Sequence, residues 1–224
     1  GEKERAKKCF INAERNDPFR SEFVKVQKAL REQHFHQAEH LSREVLKQHP
    51  GHPQAIYTLA KLAEQVDAYE EAIKILNQGI KYAPYHISLW EALLKSYVQL
   101  GMNELAIEAA RKLTEFEPNQ ARYHMMLAEE LANIGKNNES LSTYDQAIAL
   151  SPKVANLHIQ RGHVLKTLGR RQECEQAYRK SLELERVNGT AFWALADLKS
   201  YEFTDAEIKH MESLVNDKNI APAQ

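Results

Sequence analysis

The sequence predicts an all-α repeat protein, and three observations support this prediction. Pro50, Pro84, Pro118 and Pro152 follow one another at intervals of 34 residues. Between these prolines, apolar residues recur at helical spacing in two stripes per interval, with a turn between the stripes. Small residues also return at fixed positions within the interval. A fixed period of this length is typical of stacked helix pairs, in which each pair buries its apolar face against the next.

The proline period divides the chain into units. We expect an N-terminal arm or capping helix at residues 1–18, because Asn16-Asp17-Pro18 is a turn signal. Five helix-pair units are then predicted at residues 19–52, 53–86, 87–120, 121–154 and 155–188. A partial repeat or connector at 189–215 and a tail at 216–224 complete the chain. In the partial repeat, Thr204 with Glu207 three residues later predicts a capping box that opens a last helix.

The turn between the two helices of a unit has a recognisable sequence in most units. Glycines stand at this place in the third, fourth and fifth units, as Gly101, Gly135 and Gly169. The first unit turns near Gln33–Phe35, and the second turns at Asp67-Ala68-Tyr69 without a glycine. We therefore expect a turn between the two helices of all five units, with a glycine in three of them.

Small residues occupy two positions of the repeat, where we expect two helices to approach closely. The first position holds Ala60, Ala128, Gly162 and Ala196, and the second holds Ala38, Ala72, Ala106, Ser140 and Cys174. A larger side chain at either position would push the helices apart.

Composition excludes several classes of function. The 224 residues are 43% hydrophobic and 27% charged, with a net charge of −1. A binder of nucleic acid or of anionic membranes is normally basic, so we expect neither partner. No run of about 18 apolar residues is present, so we expect no transmembrane helix. Cys9 and Cys174 show no disulfide-framework spacing, which favours a reducing compartment and predicts a cytoplasmic protein.

The repeat positions resemble the tetratricopeptide repeat. The matching residues are Trp90, Leu93, Tyr97, Gly101, Ala106, Ala110 and Pro118 in the third unit, and Leu127, Ala128, Gly135, Tyr144, Ala147 and Pro152 in the fourth. The resemblance covers about residues 19–215 and implies a right-handed superhelical solenoid of antiparallel helix pairs, with about five and a half repeats. It also implies that the first helices line a concave groove that holds a peptide or protein segment.

The C-terminal part has a narrower resemblance. Residues 161–170, 177–179, 191–199 and 203–208 are similar to the segment that joins the repeats to the catalytic domain in tetratricopeptide-repeat sulfotransferases. This implies a repeat region that precedes a domain using the sulfate donor PAPS. The glycine-rich phosphate loop of such a domain is missing here, so we expect a fragment without enzymatic activity and without a cofactor of its own.

For the side chains that could take part in catalysis or bind a metal, the sequence indicates structural roles instead. His36 and His40 are spaced i, i+4 and His34 lies close by, but no ligand set is completed, so we expect no metal site. Glu129 and Glu130 point about 100° apart on a helix and make no acid–base pair alone, so we expect them to belong to a solvated face. Three further residues, His124, His158 and Cys174, stand at packing positions.

The concave groove is the better candidate site. Helical geometry and the packing of the family place these residues on it: Tyr57, Lys61, Glu91, Lys95, Met125, Glu129, Asn133, Ile159, His163, Lys166, Trp193 and Asp197. An exposed apolar stripe beside both signs of charge suits an extended peptide. The alternatives are a groove that packs against another part of its own protein and one that is merely solvated.

One known binding mode is disfavoured. Carboxylate-clamp domains hold a C-terminal carboxylate with Lys and Asn, but Phe23 and Gln27 stand at the first clamp positions, and Thr58 and Ala92 replace the asparagine. We therefore predict a protein-interaction scaffold, either the recruiting region of a sulfotransferase or a free-standing adaptor. An exposed Phe192 or Trp193 would in addition allow a weak homodimer.

Overall fold

The computed structural model describes residues 17–199 and 201–216, apart from the side chains of 215 and 216. This part of the chain contains twelve α-helices and no strand, which confirms the all-α prediction. The helices are α1 (Arg20–Arg31), α2 (Phe35–Gln48), α3 (Pro53–Gln65), α4 (Tyr69–Tyr82), α5 (Ile87–Gln99), α6 (Asn103–Phe116), α7 (Ala121–Asn133), α8 (Asn137–Leu150), α9 (Ala155–Thr167), α10 (Arg171–Leu184), α11 (Gly189–Ala196) and α12 (Asp205–Asn216). The predicted arm at residues 1–16 and tail at 217–224 lie outside the described residues. None of the helices in the described part is long and apolar enough to cross a membrane.

The chain divides into two compact units, Gly1–Gly135 and Lys136–Gln224. In the first, which we call unit 1, each helix from α1 to α7 packs on the next, and α3 also contacts α5. In the second, unit 2, α9 packs on both α8 and α10, and α10 packs on α11. Contact between α3 and α5 brings the first helices of two successive repeats side by side.

Apolar stripes account for the core of each unit. Helix α5 buries Leu89, Leu93 and Leu94, each at most 1% exposed, in a cluster that extends from α3 to α7. In unit 2, Tyr144 and Tyr178 are both 1% exposed. Burial of an aromatic or leucine side chain contributes about 1.5–3 kcal/mol, and this repeated contribution stabilises the array.

The five predicted turns share one backbone conformation. Gly101, Gly135 and Gly169 have φ of 66°, 76° and 72°, and the two turns without glycine place Gln33 at 60° and Asp67 at 56°. These positions lie 34 residues apart, so the geometry repeats with the proline period. In the first two turns a residue with a side chain therefore occupies the left-handed region, which is strained for L-residues.

The small residues permit close helix contacts, with one exception. A Cβ atom at Gly162 on α9 would lie 2.4 Å from Cε1 of Tyr178 on α10. At the second small-residue position, Ala38, Ala72, Ala106, Ser140 and Cys174 are all 0% exposed. The prediction for Ala196 is wrong: this residue is exposed, because α11 ends there.

In three repeats, a ring nitrogen of the first helix forms a hydrogen bond with a backbone carbonyl of the preceding loop. Trp90 Nε1 donates to the Pro84 carbonyl at 2.8 Å. Nε2 of His124 lies 2.8 Å from the Pro118 carbonyl oxygen, and Nε2 of His158 lies 3.1 Å from that of Pro152. These histidines were predicted as packing residues; each also makes this hydrogen bond, which links the first helix to the preceding loop.

The last unit makes the same link differently. Phe192 stands at the position of Trp90 and has no ring N–H, and Arg186 replaces the proline. His210 of α12 lies over Phe192, with ring centroids 6.0 Å apart, and its Nε2 is 3.0 Å from the Arg186 carbonyl oxygen. In the last unit, His210 of α12 therefore makes the hydrogen bond to the loop carbonyl that Trp90, His124 and His158 make in the earlier repeats.

The predicted capping box is confirmed. The Thr204 amide donates to Glu207 Oε2 at 2.8 Å, and the Glu207 amide donates to Thr204 Oγ1 at 3.3 Å. Two orphan amides at the start of α12 are thereby satisfied.

Candidate functional site

Polar side chains connect the first helices of unit 1 along one face. We call this surface the first-helix face, and define it by Tyr57, Lys61 and Glu64 on α3, Glu91, Lys95 and Ser96 on α5, and Arg122, Tyr123, Glu129 and Glu130 on α7. Hydrogen bonds join α3 to α5 and α5 to α7 at this face. Five of the predicted groove residues belong to it.

The centre of the face is a buried carboxylate. The Glu64 side chain is only 1% exposed, and its oxygens accept from Lys61 Nζ at 2.9 Å, Lys95 Nζ at 2.7 Å and Ser96 Oγ at 3.4 Å. The pKa of Lys95 is raised chiefly by its hydrogen bond to Glu64. Two ammonium groups share one carboxylate, so the cluster carries a net positive charge where the lysines, 38% and 48% exposed, meet solvent.

Tyr57 lies beside this cluster. Its side chain is half-buried, and its pKa is raised first by burial and then by the charges of Glu64 and Glu91. An aromatic ring next to surplus positive charge can hold an apolar ligand group while the lysines attract an acidic one.

The α5–α7 junction contains a second pair that the sequence prediction only half identified. Glu91 Oε1 accepts from Arg122 Nη2 and from the Tyr123 hydroxyl, each at 2.7 Å. Burial and this hydrogen bond raise the pKa of Tyr123. The signal that could have found Arg122 is spacing: Glu91 and Arg122 are 31 residues apart, as are Glu64 and Lys95.

The C-terminal half of α7 is acidic. Glu129 is half-buried, and Glu130 is only 6% exposed. The pKa of Glu129 is raised by burial and then by the charge of Glu130, whose own pKa is raised by burial. Nearby, Met125 is half-buried and Asn133 is exposed. The prediction that Glu130 belongs to a solvated face is wrong.

Unit 2 has its own set of predicted residues. Lys166 and Asp197 form an ion pair between α9 and the end of α11, which lowers the pKa of Asp197. His163 is half-buried with Nδ1 2.9 Å from the Tyr178 hydroxyl, and burial lowers the pKa of His163. Trp193 is 65% exposed on α11.

Two expectations about exposure are wrong in unit 2. Ile159 is 2% exposed, because α9 is covered by its neighbours α8 and α10, so this residue cannot anchor a ligand. Phe192 is buried and packs beside His210, which removes it from any dimer surface.

The remaining histidine and cysteine candidates form neither a metal site nor a reactive thiolate in the described residues. His34, His36 and His40 are all exposed, and the described residues contain no group of three or more His, Cys, Asp or Glu that could hold a metal ion. Cys174 is buried, and burial raises the pKa of its thiol, which disfavours the reactive thiolate.

A second concave region of unit 1 was not predicted. It lies between α2, α3 and α4 and has a volume of about 1010 Å³. Its floor is apolar, with Leu46, Leu59 and Ile75 among the lining residues. Charged residues at the rim are paired locally, as in Arg43 with Glu39 at 2.8 Å, so the region offers shape and apolar surface without surplus charge.

Comparisons with known proteins identify the repeat. Two family models, both described as tetratricopeptide repeat, match residues 29–95 and 67–130, and residues 121–154 and 155–188. Together these matches extend over residues 29–188, well over half of the chain. None of the curated proteins matches the sequence.

Solved structures share the fold at low sequence identity. MamA residues 41 to the end from Desulfovibrio magneticus RS-1 is 17% identical, with a TM-score of 0.68 over 77% of this chain and 98% of that one. YrrB, described as a TPR protein with an unusual peptide-binding site, is 17% identical with a TM-score of 0.69 over 83% and 96%. Because 367 solved chains match, the likeness identifies the fold and not a particular function.

Proposed function

This chain belongs to the tetratricopeptide-repeat family, and on that premise we propose that it is a protein-interaction scaffold that binds an extended peptide segment on the first-helix face. One observation carries the proposal: two lysines share the single buried carboxylate of Glu64 beside the half-buried ring of Tyr57. A ligand with an acidic group and an apolar group could pair with the surplus positive charge and pack on the accessible aromatic ring.

Geometry favours this face over the apolar cavity between α2 and α4. Side chains of α3, α5 and α7 join three successive repeats there, so an extended segment can contact several repeats in turn. A peptide-binding site is also described for YrrB, which shares this fold. Within unit 2, Trp193 is a separate candidate contact, because it is 65% exposed and lies four residues before Asp197, which pairs with Lys166.

A library of random peptides displayed on phage tests the proposal. Peptides selected on the full chain are synthesised with a fluorescent label, and their affinity is measured by fluorescence anisotropy. Replacement of an anchor aromatic typically costs about 2 kcal/mol or more, so Tyr57→Ala should weaken binding by about 30-fold. The matched control is Tyr82→Ala, since Tyr82 is 57% exposed on α4, away from this face. Failure to select any peptide, or equal affinity for wild type and Tyr57→Ala, would overturn the proposal.

A narrower version of the proposal is that the scaffold recruits or positions substrate for a sulfotransferase domain. It rests on the resemblance of residues 161–208, while neither the matching family models nor the MamA and YrrB structures are described as sulfotransferases. The alternative is a free-standing adaptor. Sequencing the gene beyond the codon for Gln224 separates them: a strand, a phosphate loop and a helix would support the narrower version, and a stop codon would contradict it.

A further inference from the structure

An ion pair at one repeat position, distinct from that of Glu91 and Arg122, occurs at two steps of the chain and is absent between α5 and α7. Glu64 pairs with Lys95, and Lys166 pairs with Asp197; both pairs span 31 residues and join the first helices of successive repeats. The equivalent residues at the step between α5 and α7 are Val98 and Glu129. Val98 is 38% exposed and cannot pair with a carboxylate. Glu129 therefore lacks at this position the ion pair that Lys95 makes with Glu64.

Glu130 adds a buried carboxylate at the same step. It occupies the repeat position of Ser96, which reaches Glu64 across the junction of α3 and α5. Lys95 and Ser96 contact Glu64 across the junction of α3 and α5, so the repeat register predicts that Glu129 and Glu130, at the equivalent positions, point toward the junction of α5 and α7. The influence of Glu130 on the pKa of Glu129 fits this placement.

The Glu130 carboxylate is incompletely satisfied. One hydrogen bond from Asn133 lowers its pKa, but Oε2 is buried and has no hydrogen-bond partner. Within the described part of unit 1, no lysine or arginine pairs with Glu129 or Glu130. A buried carboxylate without a countercharge is unfavourable unless a cation compensates it.

From this arrangement we propose that Glu129 and Glu130 form a site for one lysine or arginine side chain of the peptide bound by the first-helix face. The Glu64 cluster is an example of ammonium groups bound by a buried carboxylate: two lysine Nζ atoms lie 2.9 and 2.7 Å from a carboxylate that is 1% exposed. The aliphatic stem of the ligand residue would pack on Val98, and its charged group would reach Glu129 first.

The proposal rests on the proposed function and specifies its ligand. Lys61 and Lys95 give the α3–α5 junction a net positive charge, and Glu129 and Glu130 give the α5–α7 junction a negative one. The preferred peptide therefore carries an acidic residue and a basic residue at separate positions. This charge order fixes the direction in which the peptide lies on the face.

Parallel selection tests the site. The phage library is selected on wild type, on Glu129→Gln/Glu130→Gln and on the control Glu104→Gln/Glu108→Gln, which changes two exposed carboxylates of α6. Wild type and control should enrich lysine or arginine at one peptide position, and the Glu129→Gln/Glu130→Gln variant should not. Replacing that basic residue by alanine should weaken binding to wild type by about tenfold, the effect of about 1.4 kcal/mol, and to the variant by less than about twofold.

The outcomes separate this inference from the function on which it rests. If no peptide binds wild type, the proposed function fails and the site fails with it. If peptides bind but show no enriched basic residue, or if the basic residue contributes equally to wild type and variant, the scaffold function stands and the site is refuted.

Discussion

Lys95 on α5 donates to the buried carboxylate of Glu64 on α3 at 2.7 Å, across 31 residues of sequence. This contact ties the first helices of two successive repeats together. A second ammonium, that of Lys61, lies 2.9 Å from the same carboxylate. Glu64 thus has two roles, because it joins the repeats and holds both lysines in place on the candidate binding face.

Glu64→Gln should destabilise the protein, because both ammonium groups lose their countercharge. Loss of one partner of a buried pair costs about 3–5 kcal/mol, and the partial exposure of the lysines reduces this to about 1–3 kcal/mol. Urea unfolding followed by circular dichroism measures the change. In the control Glu39→Gln, the exposed pair with Arg43 is lost and the cost should stay below about 0.5 kcal/mol. Equal losses in the two variants would show that the Glu64 cluster does not stabilise the junction.

Glu130→Gln should stabilise the protein in a manner that depends on pH. Burial raises the pKa of Glu130, so the folded state resists ionisation more than the unfolded state does. Wild type therefore loses stability as pH rises from the unfolded pKa, about 4.3, through the raised folded pKa. Above that range the variant should be more stable by about 1 kcal/mol, and the difference should vanish below about pH 4.

Thermal unfolding between about pH 3.5 and pH 8 measures this difference. The control Glu104→Gln changes an exposed carboxylate of α6 and should follow wild type over the whole range. A Glu130→Gln variant that is less stable than wild type near neutral pH would mean that the carboxylate is already compensated, and would count against the basic-residue site as well.

Gly162→Ala should destabilise unit 2. The added Cβ would lie 2.4 Å from Cε1 of Tyr178, a ring that is only 1% exposed. Overpacking of this kind costs about 1–3 kcal/mol and alanine gains roughly 1 kcal/mol over glycine within a helix, so the net loss should be up to about 2 kcal/mol. Gly189→Ala is the matched control, since nothing lies within 4 Å of its added Cβ. Urea unfolding of both variants measures the change in the free energy of unfolding. An unchanged free energy for Gly162→Ala would mean that the Tyr178 ring moves aside without cost.

Gln33→Gly should stabilise the first turn. Gln33 has φ of 60°, a left-handed conformation that costs an L-residue about 1–2 kcal/mol. Glycine removes this strain but adds freedom to the unfolded chain, so the net gain should be about 0.5–1 kcal/mol. Gln37→Gly, the same exchange inside α2, should instead lose about 1 kcal/mol. Thermal unfolding that shifts in the same direction for both variants would refute this explanation of the turn.

The fold could be predicted from sequence because its signals are local and repeated. The turns at Gly101, Gly135 and Gly169 follow from the period, and Gln33 and Asp67 take the same φ although neither is glycine. Side-chain pairing could not be predicted in the same way. The sequence indicated that Lys95 faces the groove, but not that a buried Glu64 would hold it.

Burial at equivalent repeat positions was the least predictable feature. Ile159 and Trp193 occupy the same position of the repeat, yet one is 2% and the other 65% exposed. Ile159 lies on α9, which has packed helices on both sides, whereas Trp193 lies on the eight-residue α11 near the end of the array. Repeat position determines which way a side chain points, but neighbouring helices determine whether solvent reaches it.

Amide chemical-shift mapping by NMR, with a peptide selected on the full chain, tests most directly whether the first-helix face is the binding surface. A peptide bound there should give its largest shifts on α3, α5 and α7, at Tyr57, Lys61, Lys95 and Glu129. Shifts that instead cluster on α2 and α4, around the 1010 Å³ cavity, would contradict the assignment of this face.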